Sequence, residues 1–301
     1  MSPAGLLRRG DGRPPAPFVV GVGRSGTTLL RLMLDAHPEL AIPAETHFVP
    51  DLIEAGKRGA RGGDLADLIV GARNWGDFAM DEAELRKRVA ALGRADAAAV
   101  MRAFFGLYAE LQGKPRWGDK TPIYVEHMRT IAKVLPEARF VHLIRDGRDV
   151  ALSRRKRGMG VGKPMSDTAE RWRGRIERAR RQAKRLRGRY MELRYEDLVA
   201  NPEPELRRVC EHLELDLDPA MLSFHERAPE RLAEMGRDLP PEGGRIARSG
   251  RERLASHALA TAPPTDRRTG AWRTEMSAAD RAAFEAVAGE LLRELGYETL
   301  E

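Results

Sequence analysis

Phe18-Val19-Val20-Gly21-Val22 runs straight into Gly23-Arg24-Ser25-Gly26-Thr27-Thr28, and then into Leu29, Leu30, Met33 and Leu34. No other stretch constrains the fold as strongly. The first five residues are apolar and largely β-branched, which predicts a buried strand. From Gly26 the leucines recur at helical spacing. The helix has to stop before His37-Pro38, because a residue ahead of proline avoids the helical region. Between the two, Gly21 and Gly26 stand in the spacing Gly-x-x-x-x-Gly. In a strand–loop–helix context such glycines let backbone N–H groups curl around phosphate oxygens, and the helix dipole adds to the attraction. Gly23, Arg24, Ser25, Gly26, Thr27 and Thr28 are therefore candidate anion ligands. Arg24 offers a fork of donors, and the threonines offer hydroxyls.

The loop departs from nucleotide triphosphatases where those carry lysine: here the residue is Thr27. A second strong strand, Phe140 to Ile144, ends in Arg145-Asp146, so no carboxylate stands ready at its end for magnesium. The equipment for γ-phosphoryl transfer is missing. A phosphate-loop kinase or nucleotide triphosphatase, or a non-catalytic nucleotide-binding protein, stands as the alternative.

The rest of the chain alternates in kind. Leu40-Ala41-Ile42 fits a short strand, residues 51–112 read as mostly helical, and a helix follows Asp146. Asp167 to Leu186 is amphipathic, with Trp172, Ile176, Ala179, Ala183 and Leu186 on one face; Asp167 can cap it, with Glu170 as capping-box partner. Tyr190 to Leu193 reads as a strand. A helix from Pro202 turns Leu206, Val209, Cys210 and Leu213 inward. Residues 236–271 are loop-rich, and Ser277 to Leu295 closes the chain as a helix. Strands alternating with helices imply an α/β fold of three layers, a P-loop-type central parallel sheet with helices on both faces. Residues 1–17, rich in Pro, Gly and Arg, read as a flexible leader, and 18–301 as a single domain.

The chain has 301 residues and one cysteine, so its core has to stand without an internal disulfide, as a chain of this size can. No apolar run resembles a secretory signal or reaches the roughly 20 residues of a membrane helix. A cytoplasmic protein is expected, and the excess of Ala and Arg over Lys points to a GC-rich bacterial source. The net charge of +7 is local. Fifteen Lys and Arg against three acidic residues fall between Arg154 and Arg189, and the remainder of the chain is net acidic. Such a patch suits a small polyanion as well as it suits nucleic acid. Because Trp172 and its neighbours make this a packed amphipathic helix, no nucleic-acid partner is expected.

Gly23-Arg24-Ser25-Gly26-Thr27-Thr28-Leu29, then Leu34-Asp35-Ala36-His37-Pro38, then Glu45-Thr46, resemble the sulfotransferase family, and within it the protein-tyrosine sulfotransferase branch. The resemblance implies 3′-phosphoadenosine 5′-phosphosulfate (PAPS) as donor. It continues in Arg145-Asp146-Gly147-Arg148-Asp149-Val150-Ala151-Leu152-Ser153, similar to the family's 3′-phosphate segment, whose first Arg and Ser bind that phosphate. Those positions are Arg145 and Ser153. A bisphosphate needs such a second clamp. Arg148, Arg154 and Arg155 read better as a solvated face, while Arg157 is similar to a residue that reaches the nucleotide. Trp117-Gly118-Asp119-Lys120-Thr121-Pro122 resembles a family run whose lysine points at the transferring group. Tyr195-Glu196-Asp197-Leu198 reads equally as a structural corner, with Tyr packing and Glu or Asp capping the next helix. From the 236–271 loop either Arg267 or Arg268 is expected over the nucleotide.

Sulfuryl transfer to an alcohol or phenol needs a base, in-line attack and stabilisation of the departing bridging oxygen. Glu45 matches the family's glutamate and is the expected base, with His47 as runner-up. Arg24 and Lys120 are expected to stabilise the sulfuryl group and bridging oxygen, so that no metal is required. The acceptor hydroxyl is left open among peptide tyrosine, carbohydrate and small metabolite.

Overall fold

The computed structural model describes residues 12–242 and 247–299. Residues 1–11, most of the expected leader, lie outside the described residues. The leader ends earlier than the sequence suggests, because the first strand, β1 (Ala16–Gly21), is fully buried and already includes Pro17. Arg116 holds the approach to it by donating to the Pro15 carbonyl at 2.8 Å.

After β1 the chain enters helix α1 (Thr27–Asp35) and the two-residue strand β2 (Leu40–Ala41). Four helices follow: α2 (Val49–Lys57), α3 (Gly62–Val70), α4 (Glu82–Ala91) and α5 (Ala97–Leu111). The chain returns through β3 (Arg116–Trp117), β4 (Asp119–Lys120), α6 (Met128–Val134) and β5 (Ala138–Ile144). Helices α7 (Gly147–Arg155) and α8 (Met165–Ala183) lead to β6 (Tyr190–Arg194), α9 (Tyr195–Ala200) and α10 (Pro202–Leu213). Three short helices, α11 (Ala228–Ala233), α12 (Gly250–Ala255) and α13 (Trp272–Glu275), precede the closing α14 (Ala278–Glu294).

The main sheet has the order β4-β1-β5-β6, and every pairing in it is parallel. A parallel sheet is buried on both sides, which is why β1 and β5 read as unbroken apolar runs. Phe18 pairs with Phe140 and Gly21 with Leu143, so β5 runs one residue further than β1. β2 and β3 form a separate parallel pair. This is the expected three-layer α/β fold, with helices on both faces.

Two elements differ from the sequence reading. α8 starts at Met165 behind Pro164, so Asp167 lies inside the first turn and caps nothing. Pro164 already supplies the helix start, and the acidic side chain is left to favour the positive end of the dipole. Its inner face is as expected, with Trp172, Ile176 and Ala179 buried. α10 has no side-chain cap either, so Glu196 and Asp197 do not cap it.

Two glycines are required by geometry. A Cβ on Gly21 would lie 2.6 Å from the Leu143 carbonyl of the paired strand. Gly26 has a φ of +92°, and a Cβ there would lie 2.4 Å from the Tyr195 ring. Gly26→Ala is therefore expected to cost about 1–3 kcal/mol through overpacking and left-handed strain, read as a lowered midpoint of urea unfolding. An unchanged midpoint would mean that the loop is not wedged against α9.

Candidate active site

The site forms where β1, β4 and β5 reach their carboxyl ends, the usual ligand edge of a parallel sheet. The loop after β1 feeds α1 through Gly26, and no side chain caps that helix. Its first N–H groups are therefore free to face an anion. Arg24 adopts a left-handed backbone, with φ +80°. This turns its side chain across to the neighbouring loop, where Nε donates to Ser153 Oγ at 3.2 Å. The two expected phosphate clamps thus touch each other. Burial, with Arg157 and Arg145 close by, lowers the Arg24 pKa to about 10.

The second clamp begins at Arg145, the first residue beyond β5. Its guanidinium lies 4.5 Å above the Tyr195 ring and donates to the Arg268 carbonyl at 2.6 Å. Asp149, 3.7 Å from it, accepts from the Gly270 and Trp272 backbone N–H groups at 2.8 and 2.9 Å. The 266–272 loop is thereby tied to the clamp. Arg268 is the residue tied in, through its carbonyl, and the side chains of both Arg267 and Arg268 are exposed. Tyr195-Glu196 proves to be the structural corner: Tyr195 packs on Gly26 and Arg145. Glu196 accepts from the Asp146 N–H at 3.0 Å and from the Tyr297 hydroxyl at 2.9 Å.

Glu45 reaches the site through a chain of local causes. Asp35 accepts from the Ile42 N–H at 2.7 Å and is held by Arg231 at 2.6 Å, which fixes the turn from α1 into β2. Asn74 donates to the Glu45 carbonyl at 2.6 Å. Thr46 is locked by Asp119 at 2.8 Å and by the Tyr124 hydroxyl at 2.8 Å. Burial lifts the Asp119 carboxyl to about 7 against the hydrogen bonds from Thr46 and Thr121. On this base the Glu45 carboxylate meets Lys120 Nζ at 2.7 Å and His47 Nε2 at 3.2 Å. Burial alone would raise the Glu45 pKa. The Lys120 ammonium and His47 outweigh it and hold the carboxyl well below its ordinary value. Lys120, only 1% exposed, is itself lowered by burial, with Glu45 opposing, and lies 3.4 Å from Thr28 Oγ1.

The structure therefore brings Glu45, Lys120 and Thr28 together on one side, and Arg24, Ser153 and Arg145 together on the other. Arg157, expected from the resemblance to reach the nucleotide, is close to Arg24 and donates to the Ser256 carbonyl at 2.8 Å.

Arg148 corrects the sequence reading: it is not on a solvated face. It is 0% exposed, paired to Asp146 at 2.7 and 3.0 Å and to Glu285 at 2.5 Å, and its guanidinium lies 3.4 Å above the Trp272 ring. Arg154 is half-buried, and Arg155 is the exposed one. Much of the basic stretch is neutralised on the surface: Arg175 by Glu126 at 2.8 Å, Arg180 by Glu192 at 2.9 Å, and Lys156 by Glu275 at 2.5 Å.

Sequence reasoning missed His257. It carries no motif and lies in a loop-rich region, yet its surroundings are Lys120, Glu45, Arg24 and Arg157.

Comparison with known proteins identifies the family. The family model described as "Sulfotransferase family" matches residues 15–219. Protein-tyrosine sulfotransferase 1 of Danio rerio is 29% identical over 218 residues, 70% of this chain and 56% of the relative. A putative protein-tyrosine sulfotransferase of Caenorhabditis briggsae is 30% identical over 215 residues, 69% of each chain. The match thus spans between about half and two thirds of these relatives. The fold is shared with the sulfotransferase domain of the Synechococcus PCC 7002 olefin synthase, at a TM-score of 0.61 and 22% identity, covering 97% of this chain and 99% of that one. The sulfotransferase domain of the curacin biosynthetic pathway also shares it, at a TM-score of 0.61 and 20% identity, covering 96% and 99%. With most of its length matched and both loops in place, this chain belongs to the sulfotransferase family.

Proposed function

We propose that the protein moves a sulfuryl group from PAPS to the hydroxyl of an alcohol or phenol, by in-line transfer with Glu45 as base. The observation that supports this best is the Arg24–Ser153 contact, which joins two anion clamps next to a carboxylate–lysine pair. The residues suit a bisphosphate in a further respect. Ser25 Oγ and Arg145 Nε are buried without a hydrogen-bond partner among the described residues. Buried donors are rarely left so, and each is an address for a phosphate oxygen.

The roles follow from position. Gly23 to Thr28 hold the 5′-phosphosulfate, and Arg145 with Ser153 the 3′-phosphate. The acceptor hydroxyl gives its proton to Glu45 as its oxygen bonds to sulfur. The sulfur–oxygen bond to the phosphate breaks, and its electron pair stays on the bridging oxygen, facing Lys120 and Arg24. When Lys120 turns to that charge it loosens from Glu45, and the carboxylate becomes a stronger base when it is needed. Fixed cations supply the charge, so this reading calls on no metal. The fork between peptide tyrosine, carbohydrate and small metabolite as acceptor lies outside the donor site. Similarity to the tyrosine branch weighs toward the first, and a cytoplasmic bacterial setting completes the proposal.

The test is calorimetry with 3′,5′-bisphosphoadenosine, ADP and ATP in the absence of magnesium. The bisphosphate is expected to bind at least tenfold more tightly. Arg145→Ala is expected to remove that preference, while ADP binding changes little. Tighter ATP binding would return the kinase reading.

A further inference from the structure

The segment 248–261 forms a strap anchored beside the site by contacts to Asp77, Arg157 and α1. Arg253 anchors it from within, bonding Asp77 through both guanidinium nitrogens, one of them at 2.9 Å, and both side chains are buried. Asp77 belongs to the same short turn as Asn74, which holds the Glu45 carbonyl. Ser256 accepts from Arg157 at 2.8 Å and from Arg248 at 3.3 Å, so the strap also grips the donor side. Beyond it, the one-turn helix Ala258–Thr261 packs on α1 and buries Ala260. Residue 257 lies between these two contacts, within electrostatic range of Lys120, Glu45, Arg24 and Arg157. Its ring is half-buried, and its nitrogens are neither sealed from solvent nor hydrogen-bonded among the described residues.

We propose that His257 is an acceptor-contacting residue: a ring N–H donates to a lone pair of the incoming hydroxyl oxygen. The inference rests on the sulfuryl-transfer reading above. Such a bond leaves the hydroxyl's own hydrogen free to face Glu45 and its remaining lone pair free to face sulfur. The proton goes to Glu45, the oxygen–sulfur bond forms, and His257 keeps its proton throughout. A neutral imidazole suits this task, because an imidazolium would hold the oxygen's electrons too tightly. Burial, together with Lys120, Arg24 and Arg157, lowers the His257 pKa to about 3, with Glu45 alone opposing. His47 is placed differently, with its Nε2 already 3.2 Å from Glu45.

The test uses the whole chain, PAPS and three acceptors: 2-naphthol, N-acetylglucosamine and a tyrosine peptide. For whichever is sulfated, His257→Ala is expected to raise the acceptor KM about tenfold or more, as loss of a substrate hydrogen bond does. The PAPS KM should stay within twofold, and His257→Gln, which keeps an N–H, should recover part of the loss. A second reading needs no variant. In nitrogen-15 spectra the His257 ring should stay neutral from pH 8 to pH 5 and should move when 3′,5′-bisphosphoadenosine binds. An unchanged acceptor KM, an equal change in both KM values, or a ring that titrates near 6.5 and ignores the bisphosphate overturns the proposal. If calorimetry shows no bisphosphate binding, the failure lies instead in the donor chemistry and takes this inference with it; if the bisphosphate binds and none of the three acceptors is sulfated, the nitrogen-15 reading decides.

Discussion

Glu45→Gln is expected to lower turnover by about 10²- to 10⁴-fold, the usual contribution of a positioned base, while leaving 3′,5′-bisphosphoadenosine binding within about twofold. Glutamine keeps the shape and the contact surface, and its oxygen can still accept from Lys120. It cannot take a proton from the acceptor. The proposed donor contacts through Arg24, Ser153 and Arg145 do not use the carboxylate. Turnover by product assay and affinity by calorimetry separate the two effects. Full activity in the variant would move the base elsewhere, with His47 next to be tried.

The pH profile gives the same residue a second signature. The carboxylate has to be ionised to act, and its pKa is held below the ordinary value by Lys120 and His47 after opposing the cost of burial. Falling pH therefore reaches the ordinary carboxylate range without protonating Glu45. The rate is expected to stay flat through pH 5, provided the enzyme remains folded. An acid limb near 6.5 to 7 would instead assign the titrating group to a histidine or to Asp119, whose carboxyl is lifted to about 7, and Asp119→Asn would separate the two.

The other large effect is on stability. Arg148→Ala is expected to destabilise the protein by about 3–5 kcal/mol, because removing one partner strands the other charge of a buried pair. Asp146 and Glu285 would both lose their cation, and Trp272 the guanidinium stacked on its ring. Arg148→Lys should recover little, since an ammonium cannot reproduce the planar fork. Arg155→Ala supplies the contrast. Its partner Asp280 is reached from an exposed side chain, and such pairs contribute about 0–1 kcal/mol. Urea unfolding of the three variants measures this, and a loss below 1 kcal/mol in Arg148→Ala would mean that the buried network is not cooperative.

Arg148 and Arg155 also show what a sequence can and cannot convey. Both stand in one helix beside other charges, and the pattern alone reads them alike. Their difference is set by Glu285 and Asp280, more than 120 residues away in the chain. The phosphate loop was legible because strand, glycines and helix are consecutive, so local conformation decides it. Arg145 and Ser153 were legible through the family resemblance, and the structure adds that they lie at one strand end, with Ser153 bonded to Arg24. β3 and β4 were not, since two residues carry no period of alternation. Their place is set by pairing, Val19 with Lys120 and Leu40 with Arg116. His257 was invisible in kind: nothing around it in sequence suggests chemistry, and only Arg253 closing on Asp77 brings it to Glu45.

The order of the main sheet has a consequence for which nucleotides can be mistaken for one another. β1 and β5 are immediate neighbours, with Gly21 beside Leu143. Adjacent strands lie roughly 4.8 Å apart, so backbone hydrogen bonds fix how far apart the two loops start. On the sulfuryl-transfer reading proposed above, a nucleotide with phosphates on two corners of its ribose would meet both loops at once, and one whose phosphates follow in a single tail would be held less fully.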